Sequence, residues 1–274
     1  MKIDSTFALR NGVQIPLFGL GTWRAESGQA RQAVSFALQN GYRLIDTAAY
    51  YQNEEEVGAG LRDSGIPREH VFVTSKVWID DAGYDETLAA FEGSLTRLGL
   101  DYLDMYMVHW PVKDKYKDTY RALERLYREK RIRVIGVSNF PVRLLREMDA
   151  ETETGPMVDQ LQFHPLYFRG EEYEYGKGQG ILIQAWKPLA RGRLSEDARL
   201  LEMADKHGKT PEQVLLRWLL QLGVGVIPKS VQKQRILQNA DVFDFQLEQE
   251  EMSYLCGLDK GESLSGLPDG VVQS

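Results

Sequence analysis

Four side chains that could move protons stand at or just beyond the ends of apolar runs in this sequence. Asp46, Lys76 and His109 each close such a run, and Tyr51 lies a few residues beyond Asp46. Together they provide a carboxylate, an amine, an imidazole and a phenol, which are the groups that proteins use as general acids and bases. The pattern predicts proton transfer to or from a small polar group of a substrate.

The expected arrangement places the ammonium of Lys76 beside the phenol of Tyr51, where a cation lowers the pKa of the phenol. Asp46 would hold that ammonium, and His109 would supply a second hydrogen bond to the substrate. Each residue alone has a simpler explanation: Tyr51 as a loop residue, Lys76 as a solvated strand end, His109 as a structural histidine, and Asp46 as a helix cap. Their joint occurrence at strand ends favours catalysis.

The elements that would position these residues form a regular alternation of strand and helix. Helical periodicity separates most of the strand-like runs, and Thr210–Gln213 forms a capping box with proline at the first helical position. This alternation predicts a closed (β/α)8 TIM barrel, whose catalytic groups gather at the C-terminal ends of its strands. An open, doubly wound sheet is the alternative. The eight predicted strands are 17–20, 43–46, 71–75, 103–108, 132–137, 157–162, 181–185 and 224–227.

Both ends of the chain differ from this alternation. Asn11-Gly12 lies between two short apolar stretches, 6–9 and 13–15, and predicts an N-terminal β-hairpin. The segment after Gly261 is rich in turn-forming residues and predicts irregular structure. No linker or low-complexity tract divides the 274 residues, so we expect one domain.

Composition narrows the classes of partner. A net charge of −7 argues against a nucleic-acid or anionic-membrane surface, and 43% apolar residues suffice for a large core. A single cysteine excludes an internal disulfide framework, and no signal-peptide pattern or long apolar span is seen. We therefore expect a cytoplasmic protein.

Two kinds of ligand site need comparison. A catalytic zinc site requires about three protein ligands, but His109 and His164 lack the neighbouring carboxylates that would complete one, so a metal hydrolase is disfavoured. A phosphate site is better supported after the eighth strand, where Lys229-Ser230, Arg235 and Asn239 precede or enter a helix. A solvated basic helix face is the alternative there. Three indole rings just past strand ends predict an apolar pocket for a small ligand; they are Trp23, Trp78 and Trp110.

The sequence closely resembles the aldo-keto reductases from the hairpin to about residue 260. The motifs occur in the order and spacing of that family, and with its short tail the chain resembles the compact bacterial members, such as diketogluconate and glyoxal reductases. The matching segments are 19–23, 41–51, 53–54, 74–76, 109–111, 135–140, residue 160 with 164–165, residue 186 with 188–189, and 227–230.

The resemblance implies a barrel closed at its bottom by the hairpin, and NADPH-dependent reduction of aldehydes and ketones by a monomer. Tyr51 is then the general acid, tuned by Lys76 and Asp46, and His109 orients the substrate. Trp23, Trp78 and Trp110 would contact the substrate. Positions that would contact the cofactor are Gly21, Thr22, Trp23, Asp46, Ser138, Asn139, Gln160, Trp186, Leu189, Arg191, Lys229, Ser230, Val231, Arg235, Gln238 and Asn239.

Within that set the resemblance implies particular partners. Ser138, Asn139 and Gln160 match the contacts to the nicotinamide carboxamide, and Trp186 matches the ring that stacks on the nicotinamide. Leu189 belongs to the loop beside the pyrophosphate. Residues that match the binders of the 2′-phosphate are Lys229, Ser230 and Arg235.

Some positions depart from the family pattern. Asp159 stands where an asparagine is usual, and Gln238 replaces a glutamate that contacts the adenine, so altered cofactor affinity is expected. The tail is short compared with that of the animal members, which predicts an open pocket and broad substrate specificity. A non-catalytic, NADPH-binding regulatory subunit on the same barrel is the alternative function.

Overall fold

The N-terminal hairpin lies at one end of a barrel. The computed structural model describes residues 1–26 and 28–272. Strands β1 (Thr6–Ala8) and β2 (Gln14–Pro16) pair antiparallel around the predicted turn. Asn11 donates from Nδ2 to the carbonyl of Arg133, which lies at the start of a barrel strand. The hairpin therefore covers the bottom of the barrel, as predicted.

Eight parallel strands follow, each hydrogen-bonded to the next in sequence order. The ring closes because the amide of Gly19 donates to the carbonyl of Val226 (2.9 Å), and the amide of Val226 donates to the carbonyl of Leu17 (2.8 Å). A closed barrel is confirmed over the open sheet. The barrel strands are β3 (Leu20–Gly21), β4 (Leu44–Asp46), β5 (Phe72–Val77), β6 (Leu103–Val108), β7 (Ile132–Ser138), β8 (Val158–Gln162), β9 (Leu182–Trp186) and β10 (Gly225–Val226).

Helices connect the strands and cover the outside of the barrel. The predicted capping box is present, with Thr210 and Gln213 each accepting from the other's backbone amide. Two helices, rather than one, lie between β9 and β10. The helices are α1 (Gln29–Gln39), α2 (Glu54–Asp63), α3 (Tyr84–Leu98), α4 (Tyr116–Arg128), α5 (Val142–Glu151), α6 (Gly170–Gln179), α7 (Ala198–His207), α8 (Pro211–Gln221), α9 (Lys233–Ala240) and α10 (Gln249–Cys256).

The observed strands differ from the predicted runs mainly at their edges. The first run, 17–20, contributes only a short ladder in β3, with Phe18 forming an isolated bridge to Val226. From Gly261 to Val272 the chain has no helix or extended ladder, which confirms the predicted irregular tail. Across the described part of the chain, no helix is long and apolar enough to cross a membrane.

Candidate active site

The four candidate catalytic side chains meet at the C-terminal ends of β4, β5 and β6. Lys76 Nζ donates to Asp46 Oδ1 at 2.7 Å and to the carbonyl of Thr47 at 2.9 Å. The same Nζ lies 3.5 Å from the hydroxyl of Tyr51. The ring of His109 lies 5.8 Å from the ring of Tyr51, nearly perpendicular to it. The side chains therefore surround one small volume, at the position where a (β/α)8 barrel carries its chemistry.

Burial sets the protonation states of this cluster. Burial, together with the charge of Asp46, raises the pKa of Tyr51 well above its usual value. Burial lowers the pKa of Lys76, although Asp46 opposes that shift, and burial also lowers the pKa of His109 well below its usual value. At neutral pH the phenol is protonated and the imidazole is neutral.

The net shift of the pKa of Tyr51 is therefore upward, opposite to the direction expected from Lys76 alone. The ammonium is closer to the Asp46 carboxylate, at 2.7 Å, than to the phenol, at 3.5 Å. The ion pair has no net charge, so the phenol experiences desolvation more strongly than attraction to the cation. The result is a phenol that keeps its proton until a strong base forms beside it.

A short bridge that sequence analysis did not assign fixes the loop carrying Tyr51. Asn53, which is buried, accepts from Thr47 Oγ1 at 2.9 Å and donates from Nδ2 to the carbonyl of Thr22 at 2.9 Å. Thr22 Oγ1 donates to the carbonyl of Asp46 at 3.0 Å. The loops after β3 and β4 are thus tied together, and the residues between Asp46 and Asn53 have little freedom to move.

A glutamine pair inside the barrel holds the second oxygen of Asp46. Gln160 Nε2 donates to Asp46 Oδ2 at 2.8 Å and to Gln184 Oε1 at 2.7 Å. Gln160 also lines the cleft above, so its side-chain Oε1 can accept a hydrogen bond from a ligand while its Nε2 holds the carboxylate of Asp46. Gln184 is buried, and it was not identified from the sequence because its spacing does not show that this polar side chain lies inside the barrel.

The cluster opens into a cleft of about 570 Å³. Trp23, Trp78 and Trp110 line it, as the sequence predicts for an aromatic pocket. Tyr50, which sequence analysis did not consider, also lines the cleft and is in contact with two of these indoles. Its only sequence signal was its place directly before Tyr51.

Several predicted cofactor contacts form a hydrogen-bonded group on one side of the cleft. Trp186 Nε1 donates to Asn139 Oδ1 at 3.2 Å, which fixes the plane of the half-buried indole. Asn139 Nδ2 donates to Ser138 Oγ at 2.9 Å and to the carbonyl of His109 at 3.2 Å. Ser138 Oγ in turn donates to the carbonyl of Gln160 at 2.7 Å. This group presents a flat ring with polar atoms along one edge.

The cleft is strongly cationic. Four basic side chains line it, and among its lining residues the only carboxylate is Asp46, which is already paired with Lys76. Burial and the charges of Arg191 and Arg24 lower the pKa of Lys187 to about 8, as crowded cations do. Such a cleft favours a bound polyanion. The four are Arg24, Lys187, Arg191 and Lys229.

The predicted phosphate site beside α9 borders this cleft at one residue. Lys229 lines the cleft, whereas Arg235 is exposed on the first turn of α9. Within residues 1–26 and 28–272, neither of them forms an ion pair with an acidic side chain. Ser230 Oγ accepts from the amide of Gln232 at 3.2 Å and so shapes the turn into the helix. Two further predicted cofactor contacts lie on α9, where Asn239 is buried and Gln238 is exposed.

The remaining predicted positions lie around these groups. Gly21 approaches the neighbouring backbone so closely that an added Cβ would meet the carbonyl oxygen of Ile227 at 2.7 Å, so a larger residue would not fit here. Thr22 is buried, Leu189 lines the cleft and Val231 packs partly buried against the core.

The tail corrects one expectation. Leu264, Ser265, Gly266 and Pro268 line the cleft instead of leaving it open. Lys187 Nζ donates to Ser265 Oγ at one end of this segment, and the amide of Val272 donates to the carbonyl of Pro111 at the other, at 2.8 Å. Even a short tail therefore crosses the mouth of the barrel and narrows the pocket.

This geometry agrees with comparisons to known proteins. A model of the aldo/keto reductase family matches residues 17–260, which is most of the chain. The chain belongs to the aldo/keto reductase family. Glyoxal reductase of Bacillus subtilis is 53% identical to this aldo/keto reductase over 272 residues, covering 99% of both chains. Methylglyoxal reductase DkgA of Escherichia coli is 39% identical over 273 residues, covering 98% of each.

Solved structures extend the similarity to the whole fold of this aldo/keto reductase. An enzyme of the same family from a deep-sea metagenome superposes with a TM-score of 0.94 at 42% identity, covering 97% of this chain and all of the other. An aldo-keto reductase of Bombyx mori in complex with NADP has a TM-score of 0.90 at 34% identity, covering 96% and 95% of the two chains. Sequence and structure thus agree on family and fold.

Proposed function

We propose that this chain reduces aldehydes and ketones to alcohols, using NADPH as the hydride donor and Tyr51 as the proton donor. The observation that supports this most is the position of Lys76 Nζ, 2.7 Å from Asp46 and 3.5 Å from the Tyr51 hydroxyl, at the end of a cationic cleft. Relatives named glyoxal and methylglyoxal reductase, and a relative solved with NADP, support the same reaction class.

In this proposal the protein residues control the proton. When bound, NADPH supplies a hydride to the carbonyl carbon. Tyr51, kept protonated by burial, hydrogen-bonds the carbonyl oxygen and transfers its proton as that oxygen becomes alkoxide-like. The ammonium of Lys76 then stabilises the phenolate that remains, and neutral His109 orients the same oxygen with a second hydrogen bond.

The residues of the cleft fit the proposed cofactor. The flat, fixed ring of Trp186 would stack on the nicotinamide, and Ser138, Asn139 and Gln160 would contact its carboxamide. The cations Arg24, Lys187 and Arg191 would face the pyrophosphate near Gly21, Thr22 and Leu189. Lys229 and Arg235, which form no ion pair with an acidic side chain among the described residues, would hold the 2′-phosphate together with Ser230. The adenine would lie beyond them, near Val231, Gln238 and Asn239.

The cofactor part of the proposal is tested by oxidation of NADPH and NADH with a reactive aldehyde. Loss of one charge-assisted contact to a phosphate costs about 1.5–3 kcal/mol, so Arg235→Ala should raise the KM for NADPH about tenfold or more and leave the KM for NADH unchanged. Lys233→Ala is the matched control, since Lys233 lies on the same helix but packs over the ring of Phe36. Equal changes for both cofactors would show that Arg235 does not reach a 2′-phosphate.

We also propose that residues 1–274 form one catalytic domain that acts as a cytoplasmic monomer on a small carbonyl substrate, without nucleic acid or membrane. The net charge of −7 supports the part of this proposal that concerns nucleic acid and anionic membranes, since it disfavours binding to polyanionic surfaces. Sedimentation equilibrium of the purified chain tests the monomer: a mass near 31.2 kDa is expected. A mass near twice that value would contradict it.

A further inference from the structure

A stack of three aromatic rings crosses the mouth of the cleft. The ring of Tyr50 lies between the indoles of Trp23 and Trp78. Its centroid is 5.4 Å from that of Trp23, at 18° between planes, and 3.7 Å from that of Trp78, at 16°. Tyr50 is 43% exposed, which is high for so large an apolar ring in ring-to-ring contact on both sides. The ring of Tyr50 therefore fills the space between these two indoles.

The backbone explains why neighbouring tyrosines point to different places. Ala49–Tyr51 forms one turn of 3-10 helix, in which successive side chains are rotated by about 120°. Tyr51 turns inward to the ammonium of Lys76, so Tyr50 is directed to the mouth. The same bridge through Asn53 that fixes Tyr51 also limits the movement of Tyr50.

The stack limits what can reach the proton donor. Rings in near-parallel contact leave no space for another ring between them, so the slot between Trp23 and Trp78 is already filled by protein. Trp78 and Tyr50 also meet the ring of His109 edge-on, at 5.0 and 6.4 Å. A carbonyl that approaches Tyr51 and His109 must therefore be short enough to pass beside the stack, or must displace Tyr50.

We propose that Tyr50 is a specificity-determining residue, which restricts this enzyme to short aliphatic carbonyl compounds and excludes aromatic aldehydes by filling the slot between Trp23 and Trp78. The inference rests on the proposed function, and it adds the size class of the substrate. The tail residues Leu264 and Pro268 line the same cleft, which further limits the space for a bulky substrate.

The experiment compares kcat/KM for propanal and for 2-naphthaldehyde, with NADPH, in the wild type and in Tyr50→Ala. Removing one ring from a pocket changes discrimination by roughly tenfold or more, so the ratio of naphthaldehyde to propanal should rise about tenfold in Tyr50→Ala. Tyr50→Phe is the matched control: it keeps the stacked ring, and the ratio should stay within about twofold of the wild type. Tyr50→Val provides a second opening of the slot in case the alanine variant does not fold.

Two results would overturn the proposal while leaving the proposed function intact. One is an unchanged ratio in both Tyr50→Ala and Tyr50→Val. The other is a wild type that prefers naphthaldehyde and loses this preference in the variants, which would make Tyr50 an aromatic binding surface. If the wild type oxidises NADPH with neither aldehyde, the proposed function fails, and the inference fails with it.

Discussion

Replacing Asp46 by asparagine should destabilise the protein in a way that depends on pH. Asp46 and Lys76 are paired at 2.7 Å, and neither side chain is more than 2% exposed. The substitution keeps the shape of the side chain but leaves the buried ammonium without its counterion. Removing one partner of a buried ion pair costs about 3–5 kcal/mol. For a chain of this size that loss corresponds to a fall in Tm of about 10 °C at neutral pH.

The sign of the pH dependence follows from Lys76. Burial lowers the pKa of Lys76 in the folded protein, and Asp46 opposes that shift. In Asp46→Asn the folded pKa falls further, so between that value and the unfolded pKa of about 10.4 the unfolded state binds more protons. Stability of the variant therefore rises with pH through this window, and the gap to the wild type should shrink from neutral pH towards pH of about 9.

Thermal unfolding followed by circular dichroism across this pH range is the assay. Asp63→Asn is the matched control, because Asp63 pairs with Arg31 at 2.5 Å on the exposed surface. The Tm of Asp63→Asn should differ little from that of the wild type, and the difference should not shrink at high pH. Equal, small changes in Tm for both substitutions would refute the conclusion that the Lys76 ammonium is buried and needs Asp46 as its counterion.

Two further predictions concern buried titratable groups. Burial raises the pKa of Asp159 well above its usual value, so above pH of about 4 the folded state binds more protons than the unfolded state. The free energy of unfolding of the wild type, relative to that of Asp159→Asn, should therefore fall by up to about 1.4 kcal/mol per pH unit until the folded pKa is passed. Parallel curves of stability against pH for the two proteins would contradict this. Burial lowers the pKa of His109 well below its usual value, so kcat/KM should show no inflection from this imidazole near pH of about 6.5. An inflection near pH of about 6.5 that disappears in His109→Gln would show that the imidazole titrates in solution-like surroundings.

Much of this fold and the meeting of its four candidate catalytic groups could be predicted from the sequence. Eight apolar runs separated by helical periodicity favour a parallel barrel over an open sheet, and the C-terminal ends of parallel strands share one face. The sequence therefore predicts Asp46, Lys76 and His109 on that face. The capping box at Thr210 predicts the start of α8 correctly because a capping box depends only on local sequence.

The parts that could not be predicted depend on distances that no pattern contains. The direction of the pKa shift of Tyr51 is set by desolvation and by how closely Asp46 neutralises Lys76. The orientation of Tyr50 depends on one turn of 3-10 helix, and the position of the tail depends on a few contacts such as that of Lys187 with Ser265. Gln184 is recognisable as part of the site only once β9 lies beside β8.

The most direct test is the turnover of Tyr51→Phe with NADPH and propanal, measured beside NADPH binding by fluorescence titration. The variant loses only the hydroxyl that lies 3.5 Å from Lys76 Nζ. Loss of a positioned general acid is expected to lower kcat by a factor of roughly 100 to 10,000, with the Kd for NADPH nearly unchanged. A kcat within a few-fold of the wild type would show that the proton comes from another group.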